Sequence, residues 1–194
     1  MEPKKSIFKI SLGIILGVFA LAGVCTLAGC NDGGSGGGAT SSTTPAPDMS
    51  GLPPDPGPNG KLTLVGVDAD ADGVRDDIQR YIALTYPNSA KARAALTQDA
   101  KVMQASLLDA NDKAKSVQHG EETSKAGECL WYILGSVDAA YKAGSLLREV
   151  VLNTDERNRA YFTYDDQLGG EVFSGTPYDQ RASTCTFDAS TLPN

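Results

Sequence analysis

A stretch rich in Gly, Ser, Thr and Pro, from residue 31 to residue 60, sets the strongest limit on how this chain folds. Its sizeable apolar residues are Met49 and Leu52, so it cannot pack a hydrophobic core and is expected to be a flexible linker. About 130 residues, 61–194, remain for a folded domain, which is enough for one modest core and too short for two.

The amino-terminal segment has the order of features that is typical of an export signal. Lys4, Lys5 and Lys9 precede a largely apolar run from residue 10 to residue 27. A positively charged start followed by such a run predicts a secretory signal peptide. The run also approaches the ~20 residues that can span a bilayer, so an uncleaved membrane anchor is the alternative.

The end of that run favours cleavage and lipidation. The sequence Leu27-Ala28-Gly29-Cys30 resembles the lipobox of bacterial lipoproteins, in which a Leu and two small residues precede a cysteine that is diacylated before cleavage in front of it. Cys25 does not fit this pattern, because a β-branched valine precedes it. The resemblance implies a signal peptide at 1–29, a lipidated Cys30 that begins a linker over 30–60, and attachment to a bacterial membrane on its periplasmic or cell-surface side.

This assignment leaves Cys129 and Cys185 in the mature chain, because Cys25 leaves with the signal and Cys30 carries the lipid. Two thiols in an oxidising compartment are expected to form one disulfide. By the chain-entropy argument such a bond stabilises the domain by roughly 4 kcal/mol. Two free buried thiols are the alternative.

The mature chain is strongly acidic. Removal of the signal, with its three lysines and one glutamate, takes the formal net charge from -7 to -9. That charge disfavours nucleic acid and anionic membrane surfaces as partners. It suits a cation.

From residue 75 onward, apolar residues recur at helical spacings. A first helix is expected to end before Pro87, and Asn88 or Ser89 can cap a second helix that continues to about Lys115. His119 and Gly120 are expected to mark a break.

The strongest apolar stripe predicts one continuous core helix over 130–151. Asn153 and Glu156 have the spacing of a capping box, which predicts a further helix that ends at Gly169 and Gly170. The residues 171–194 are turn-rich and weakly apolar, and the Cys185 bridge would pin them to the core helix.

The predicted fold class is therefore mainly α. We expect an irregular bundle of about four helices with a coil tail at the carboxyl end. A short extended segment with an apolar pattern over 62–67, interpreted as a possible strand, precedes the bundle and leads into an acidic loop.

That loop places five aspartates between residues 68 and 77. Their spacing, with Gly73 at the sixth position, resembles the calcium loop of EF-hands and of related bacterial extracellular proteins. Calcium takes six to eight oxygens at about 2.4 Å, and alternating short carboxylates around a tight turn can converge on it. The resemblance implies a Ca²⁺ site over 68–79 with these ligands: Asp68, Asp70, Asp72, the carbonyl of Val74, Asp76 and Gln79.

The last position departs from the EF-hand pattern, which has a bidentate Glu there. Gln79 offers one uncharged oxygen, so Asp77 or a bidentate Asp76 would have to compensate, and a weaker, structural site is expected. The alternative is a solvated acidic turn in which Asp76 and Asp77 favour the positive end of a helix dipole.

Other candidate residues point to structure more than to catalysis. His119 is the only histidine, which argues against a Ser-His-Asp triad or a multi-His zinc site and favours a cap or surface residue. Asp165 and Asp166 are adjacent on a helix and are interpreted as surface charge. Four aromatic residues suggest either a surface for a glycan or partner or, preferably, packing beneath the tail: Trp131, Tyr132, Tyr161 and Phe162.

The sequence thus predicts a lipid-anchored envelope protein with a structural calcium loop and a non-enzymatic structural or partner-binding role. The partner would be an envelope protein or a glycan. A calcium-dependent envelope hydrolase or polysaccharide-acting enzyme is the alternative function, and a subunit of a larger surface assembly is a third.

Overall fold

A computed structural model describes residues 50–194. Within them lie five α-helices and three short 3₁₀ helices, and no strand. The α-helices are α1 (Asp76–Thr85), α2 (Ala90–Leu108), α3 (Lys113–Leu134), α4 (Val137–Val151) and α5 (Asp155–Gln167), and the 3₁₀ helices are Gly57–Lys61, Tyr178–Thr184 and Ala189–Thr191. The predicted mainly α fold is confirmed, and the strand considered over 62–67 is not formed. The predicted signal peptide and Cys30 lie outside the described residues.

The hydrophobic core lies between α2, α3 and α4, and α2 and α3 share the most extensive packing. Leu96, Leu107, Leu130 and Leu147 are all fully buried there. Burial of each such side chain contributes about 1.5–3 kcal/mol. None of the helices in residues 50–194 combines the length and apolar character needed to cross a membrane.

The first two helices begin as predicted, but the second is shorter. The helix α1 ends at Thr85, ahead of Pro87, and the Ser89 side chain caps α2 by accepting a hydrogen bond from a backbone N–H of its first turn. The helix α2 then ends at Leu108 and not near Lys115.

The break expected at His119 and Gly120 was wrong, because α3 runs through both residues. The true break lies earlier, where the Asp112 carboxylate accepts hydrogen bonds from the first backbone N–H groups of α3. Gly120 serves packing: a Cβ there would lie 2.5 Å from Cζ of Phe173 in the tail.

The single core helix predicted over 130–151 was also wrong, since it is divided between α3 and α4. Gly135 has a φ of 71° and ends α3, and its N–H donates to the carbonyl of Trp131. Glycine adopts this left-handed conformation without the steric penalty of a Cβ. Ser136 then caps α4 by accepting from the N–H of Ala139, so the cap residues override a continuous apolar stripe.

The cap of α5 is Thr154 and not Asn153. The hydroxyl of Thr154 accepts a hydrogen bond from the N–H of Arg157, and α5 begins at the next residue, Asp155. Asn153 has other partners, because it accepts from the Arg157 guanidinium and donates to Asp77.

The tail is fastened to the bundle at two adjoining points. The structure confirms the predicted pairing of Cys129 with Cys185, whose sulfur atoms are 2.02 Å apart. Beside it, the Gln98 amide of α2 donates to the carbonyl of Thr184 and accepts from the N–H of Thr186. The bridge and the amide together hold the tail across α2 and α3.

The aromatic residues divide between packing and exposure. Trp131 packs against Tyr178 of the tail, with ring centroids 6.3 Å apart, and the Arg181 guanidinium lies 3.4 Å above the Trp131 ring centre. This agrees with the preferred interpretation of packing beneath the tail. Tyr132 and Phe162 are exposed.

Candidate metal centre

Three aspartates bring carboxylate oxygens together in the loop that leads into α1. One oxygen from each of Asp68, Asp70 and Asp76 lies within 4.8 Å of the others. Calcium–oxygen bonds are about 2.4 Å long, so ligands on opposite sides of one ion are about 5 Å apart. The three oxygens can therefore lie on one coordination sphere, and the cluster could bind a metal ion.

Hydrogen bonds from the backbone fold the loop around this cluster. The Asp68 carboxylate accepts from the N–H groups of Asp72 and Gly73, at 3.2 and 3.0 Å. At the other end, Asp76 accepts from the N–H of Ala69 at 2.9 Å. Each bond spans several residues, so together they draw the start of α1 back toward the start of the loop.

Two residues in the loop have left-handed backbone conformations. Gly73 has a φ of 89°, and Ala71 has a φ of 54°. This conformation costs a residue with a Cβ roughly 1–2 kcal/mol, a cost that Gly73 avoids. Ala71 sits between Asp70 and Asp72, so the loop holds a strained turn among its carboxylates.

Gln79, at the twelfth position of the loop, faces Asp70. Its side-chain Nε2 lies 3.3 and 3.1 Å from the two carboxylate oxygens of Asp70, and this hydrogen bonding lowers the pKa of Asp70. The Oε1 atom of Gln79 is buried and accepts no hydrogen bond. An unsatisfied buried acceptor costs about 1–3 kcal/mol. Gln79 presents its amide N–H and not its Oε1 to Asp70, so this predicted ligand does not add an oxygen to the converging group.

Asp72, also a predicted ligand, is not among the converging carboxylates. Asp72 accepts from the N–H of Val74 at 2.8 Å and has an oxygen 3.8 Å from the Lys101 ammonium. Asp77, considered as a replacement for the missing Glu, is instead paired with the Arg75 guanidinium at 2.9 Å.

A cavity adjoins the cluster on its solvent side. It has a volume of about 490 Å³, and its lining includes Asp70, Asp72, Gln79, Arg93 and Thr97. An ion that approaches the carboxylates therefore has a path from solvent and room for water ligands.

Two buried arginines that sequence analysis did not identify position the residues before this loop. Arg157 of α5 is fully buried and donates to the carbonyls of Gly60, Thr63 and Leu64, at 2.7, 2.9 and 3.2 Å. These bonds take the place of a partner strand for this segment. The signal in the sequence was that Arg157 lies on the apolar face of its helix, four residues before Tyr161.

The second buried arginine, Arg75, precedes α1 directly. It pairs with Asp77 and donates to the side chain of Gln104 and to the carbonyl of Val151, at 3.3 and 3.1 Å. Gln104 in turn donates to the carbonyl of Val65. The aspartate loop is therefore held between two segments that are fixed to α2, α4 and α5.

The remaining candidate catalytic residues have structural or surface roles. His119 is buried inside α3, where its two ring nitrogens lie 2.9 Å from Glu122 and 3.0 Å from Asp109. Burial alone would lower the pKa of His119, but hydrogen bonds to the two carboxylates outweigh it and raise the pKa overall. The cap or surface position expected for His119 was wrong, whereas Asp165 and Asp166 are exposed as predicted.

No protein-family model, characterised protein or solved structure matches this chain. The fold and the site therefore define the class to which it belongs. It is a small helical domain, fastened by one disulfide, that presents a cluster of aspartates able to bind a metal ion where the chain enters the bundle.

Proposed function

We propose that this protein is an exported bacterial lipoprotein, lipidated at Cys30, whose helical domain binds one calcium ion in the 68–79 loop. Its role is structural or partner-binding and not enzymatic. The observation that carries the proposal is the convergence of carboxylate oxygens from Asp68, Asp70 and Asp76 within 4.8 Å of one another.

The donor atoms favour calcium over softer metals. The three that converge are carboxylate oxygens, and such hard ligands suit calcium, whereas zinc and copper sites usually include nitrogen or sulfur. The adjoining cavity leaves room for water to complete the shell. With an amide at the twelfth position, the expected dissociation constant is about 10⁻⁵ to 10⁻³ M, which suits an extracellular module.

The ion would fix the entrance of the domain. Asp68 and Asp70 belong to the loop, whereas Asp76 is the first residue of α1. One ion bound to all three would join loop to helix and remove the mutual repulsion of the carboxylates. This is a stabilising function.

The enzymatic alternative has less support. A hydrolase of the paired-carboxylate type needs two carboxyl groups that face one cleft. The cavity between α2, α3 and α4 has Asp99 as its acidic residue, with Arg148 beside it. That cavity therefore lacks the pair that general acid and base chemistry requires. In the cavity beside the loop, the two carboxylates are assigned otherwise, Asp70 to the proposed ion site and Asp72 to a contact with Lys101.

The proposal is tested by thermal unfolding of the full chain in EDTA and in 5 mM CaCl₂. For a dissociation constant near 10⁻⁴ M, binding stabilises the folded state by about 2 kcal/mol, so the Tm should rise by about 5 °C. Asp70→Asn should lose the rise, because it removes one charged ligand from the cluster.

The matched control is Asp165→Asn, which makes the same change at an exposed position outside the loop and should keep the full rise. An unchanged wild-type Tm in 5 mM CaCl₂ would falsify the calcium site. A rise with MgCl₂ but not with CaCl₂ would overturn the identity of the metal.

A further inference from the structure

A second cavity, separate from the acidic loop, lies between α2, α3 and α4. Its volume is about 240 Å³, and its lining is mainly apolar, with Leu130 and Trp131 from α3 and Ala140 and Tyr141 from α4. The carboxyl group of Asp99, from α2, is also part of this lining. We call this space the Asp99 cavity.

Asp99 is buried without a hydrogen-bonding partner. Its relative exposure is 5%, and across residues 50–194 no hydrogen bond or ion pair to its carboxyl group is formed. Burial raises the pKa of Asp99 to about 7, opposed by the charge of Arg148. A buried carboxylate normally has a donor or an opposite charge in contact, because removing it from water is costly.

The helix α4 lacks a side chain where it approaches this group. A Cβ on Gly144 would lie 3.6 Å from Oδ2 of Asp99 and 3.8 Å from Cδ2 of Leu130. That spacing is ordinary van der Waals contact, so a methyl group would fit, whereas a larger side chain would enter the cavity. The missing side chain leaves space directly beside the carboxyl group.

We propose that the Asp99 cavity binds a small molecule with a protonated amine on an apolar or aromatic body, the ammonium against the Asp99 carboxylate and the body between Trp131 and Tyr141. An ammonium supplies both the hydrogen-bond donors and the positive charge that Asp99 lacks. Aromatic rings attract a cation and pack against an apolar body. Trp131 and Tyr141 both line the cavity, and the Arg181 guanidinium covers one face of the Trp131 ring.

The charge of Arg148 restricts the ligand further. Arg148 lines the same cavity but is exposed, and its guanidinium lies 5.9 Å from the ring centre of Tyr161. It is therefore directed partly toward α5 and does not neutralise Asp99 by contact. A second positive charge on the ligand would be repelled, so a monoamine should bind better than a diamine of the same size.

The test uses Trp131, which is the only tryptophan in the chain. Its fluorescence therefore reports on the cavity wall. The full chain is titrated at pH 8 with 2-phenylethylamine, which is protonated at this pH, and with 2-phenylethanol, which has the same body without the charge. The amine should give a saturable change in emission with a dissociation constant at least tenfold lower than that of the alcohol.

Two variants locate the binding. Asp99→Asn keeps the size of the side chain and should abolish the tenfold preference for the amine, whereas Asp138→Asn, an exposed change in the first turn of α4, should retain it. Gly144→Leu keeps the carboxyl group but fills the cavity, so it should weaken both compounds. Circular dichroism confirms that each variant is folded.

Equal affinities of the wild type for the amine and the alcohol would overturn the proposal. It would also fail if Asp99→Asn kept the preference, if Gly144→Leu bound both compounds as the wild type does, or if neither compound changed the emission at 20 mM.

Discussion

Replacing Arg157 by methionine should destabilise the domain strongly. Methionine retains most of the aliphatic length of the side chain but removes the guanidinium. The carbonyls of Gly60, Thr63 and Leu64 then lose their donor, and the Asn153 side chain loses the guanidinium from which it accepts a hydrogen bond. The change therefore measures the contribution of the hydrogen bonds that connect the segment before the aspartate loop to α5.

The expected loss follows from two opposing contributions. Hydrogen bonds from a charged donor contribute about 1.5–3 kcal/mol each, so three of them amount to at least about 4 kcal/mol. The variant recovers part of this, because it no longer buries a guanidinium away from water. The net decrease in the free energy of unfolding should be about 3 kcal/mol.

Urea denaturation of the full chain measures this decrease. With a slope of about 2 kcal/mol per molar, the midpoint for Arg157→Met should fall by about 1.5 M. Arg159→Met makes the same substitution at an exposed position two residues away on α5 and should change the free energy by less than about 0.5 kcal/mol. If the two variants had similar midpoints, the reasoning about the buried guanidinium would be refuted.

Two further predictions concern the membrane anchor and the buried carboxyl group. Metabolic labelling with a palmitate analogue in a bacterial host should label the wild type and Cys25→Ala but not Cys30→Ala, and a labelled Cys30→Ala protein would contradict the anchor. Burial raises the pKa of Asp99 to about 7 in the folded state, so the folded chain binds more protons than the unfolded chain between pH 4 and 7. The free energy of unfolding should therefore fall by up to about 4 kcal/mol as the pH rises from 4 to 7. The raised pKa of His119 acts in the same direction above pH 6.5, so the urea midpoints of the wild type at pH 5 and pH 8 are compared with those of Asp99→Asn. This variant should lose most of the decrease in midpoint between the two pH values. The same decrease in both proteins would contradict the prediction.

Apolar periodicity was enough to predict the helical fold, and two of its errors arose at glycines. Gly120 and Gly135 both lie within a helical pattern in the sequence. Gly120 follows a polar residue, and Gly135 follows an apolar run. Gly120 stays helical because Phe173 of the tail packs where a Cβ would be. Gly135 ends its helix because its φ is 71° and Ser136 can cap the next one. The first cause is a contact from 53 residues away along the chain, and local patterns do not contain it.

The candidate metal site shows the same division between local and distant causes. The spacing of Asp68, Asp70 and Asp76 is local, and it was sufficient to predict that their carboxylates meet. The positions of Asp72 and Asp77 depend on cations, namely Lys101 of α2 and the buried Arg75. Local spacing alone therefore predicted more converging carboxylates than the fold brings together.

Asp99 could not be identified from the sequence at all. It is one acidic residue among many on a helix with a moderately apolar stripe, where exposure to water is the ordinary expectation. Its burial comes from α3 and α4, which begin at Lys113 and Val137. Its chemical character is therefore set by the packing of helices and not by its neighbours in the chain.

Two arginines form hydrogen bonds to the segment before the aspartate loop, and the order of these contacts along the chain has a mechanical consequence. Arg80 donates to the carbonyl of Pro53, and Arg157 holds the carbonyls between residues 60 and 64. The aspartate loop follows both contacts. A force applied to the chain at residue 50 would therefore act first on the hydrogen bond from Arg80 and next on those from Arg157. The aspartates would bear force only after both sets of hydrogen bonds had broken. In a domain tethered by its amino end, the chain would thus be attached to the helices at points that precede the aspartate loop. Tension in the tether would not reach that loop while these attachments hold.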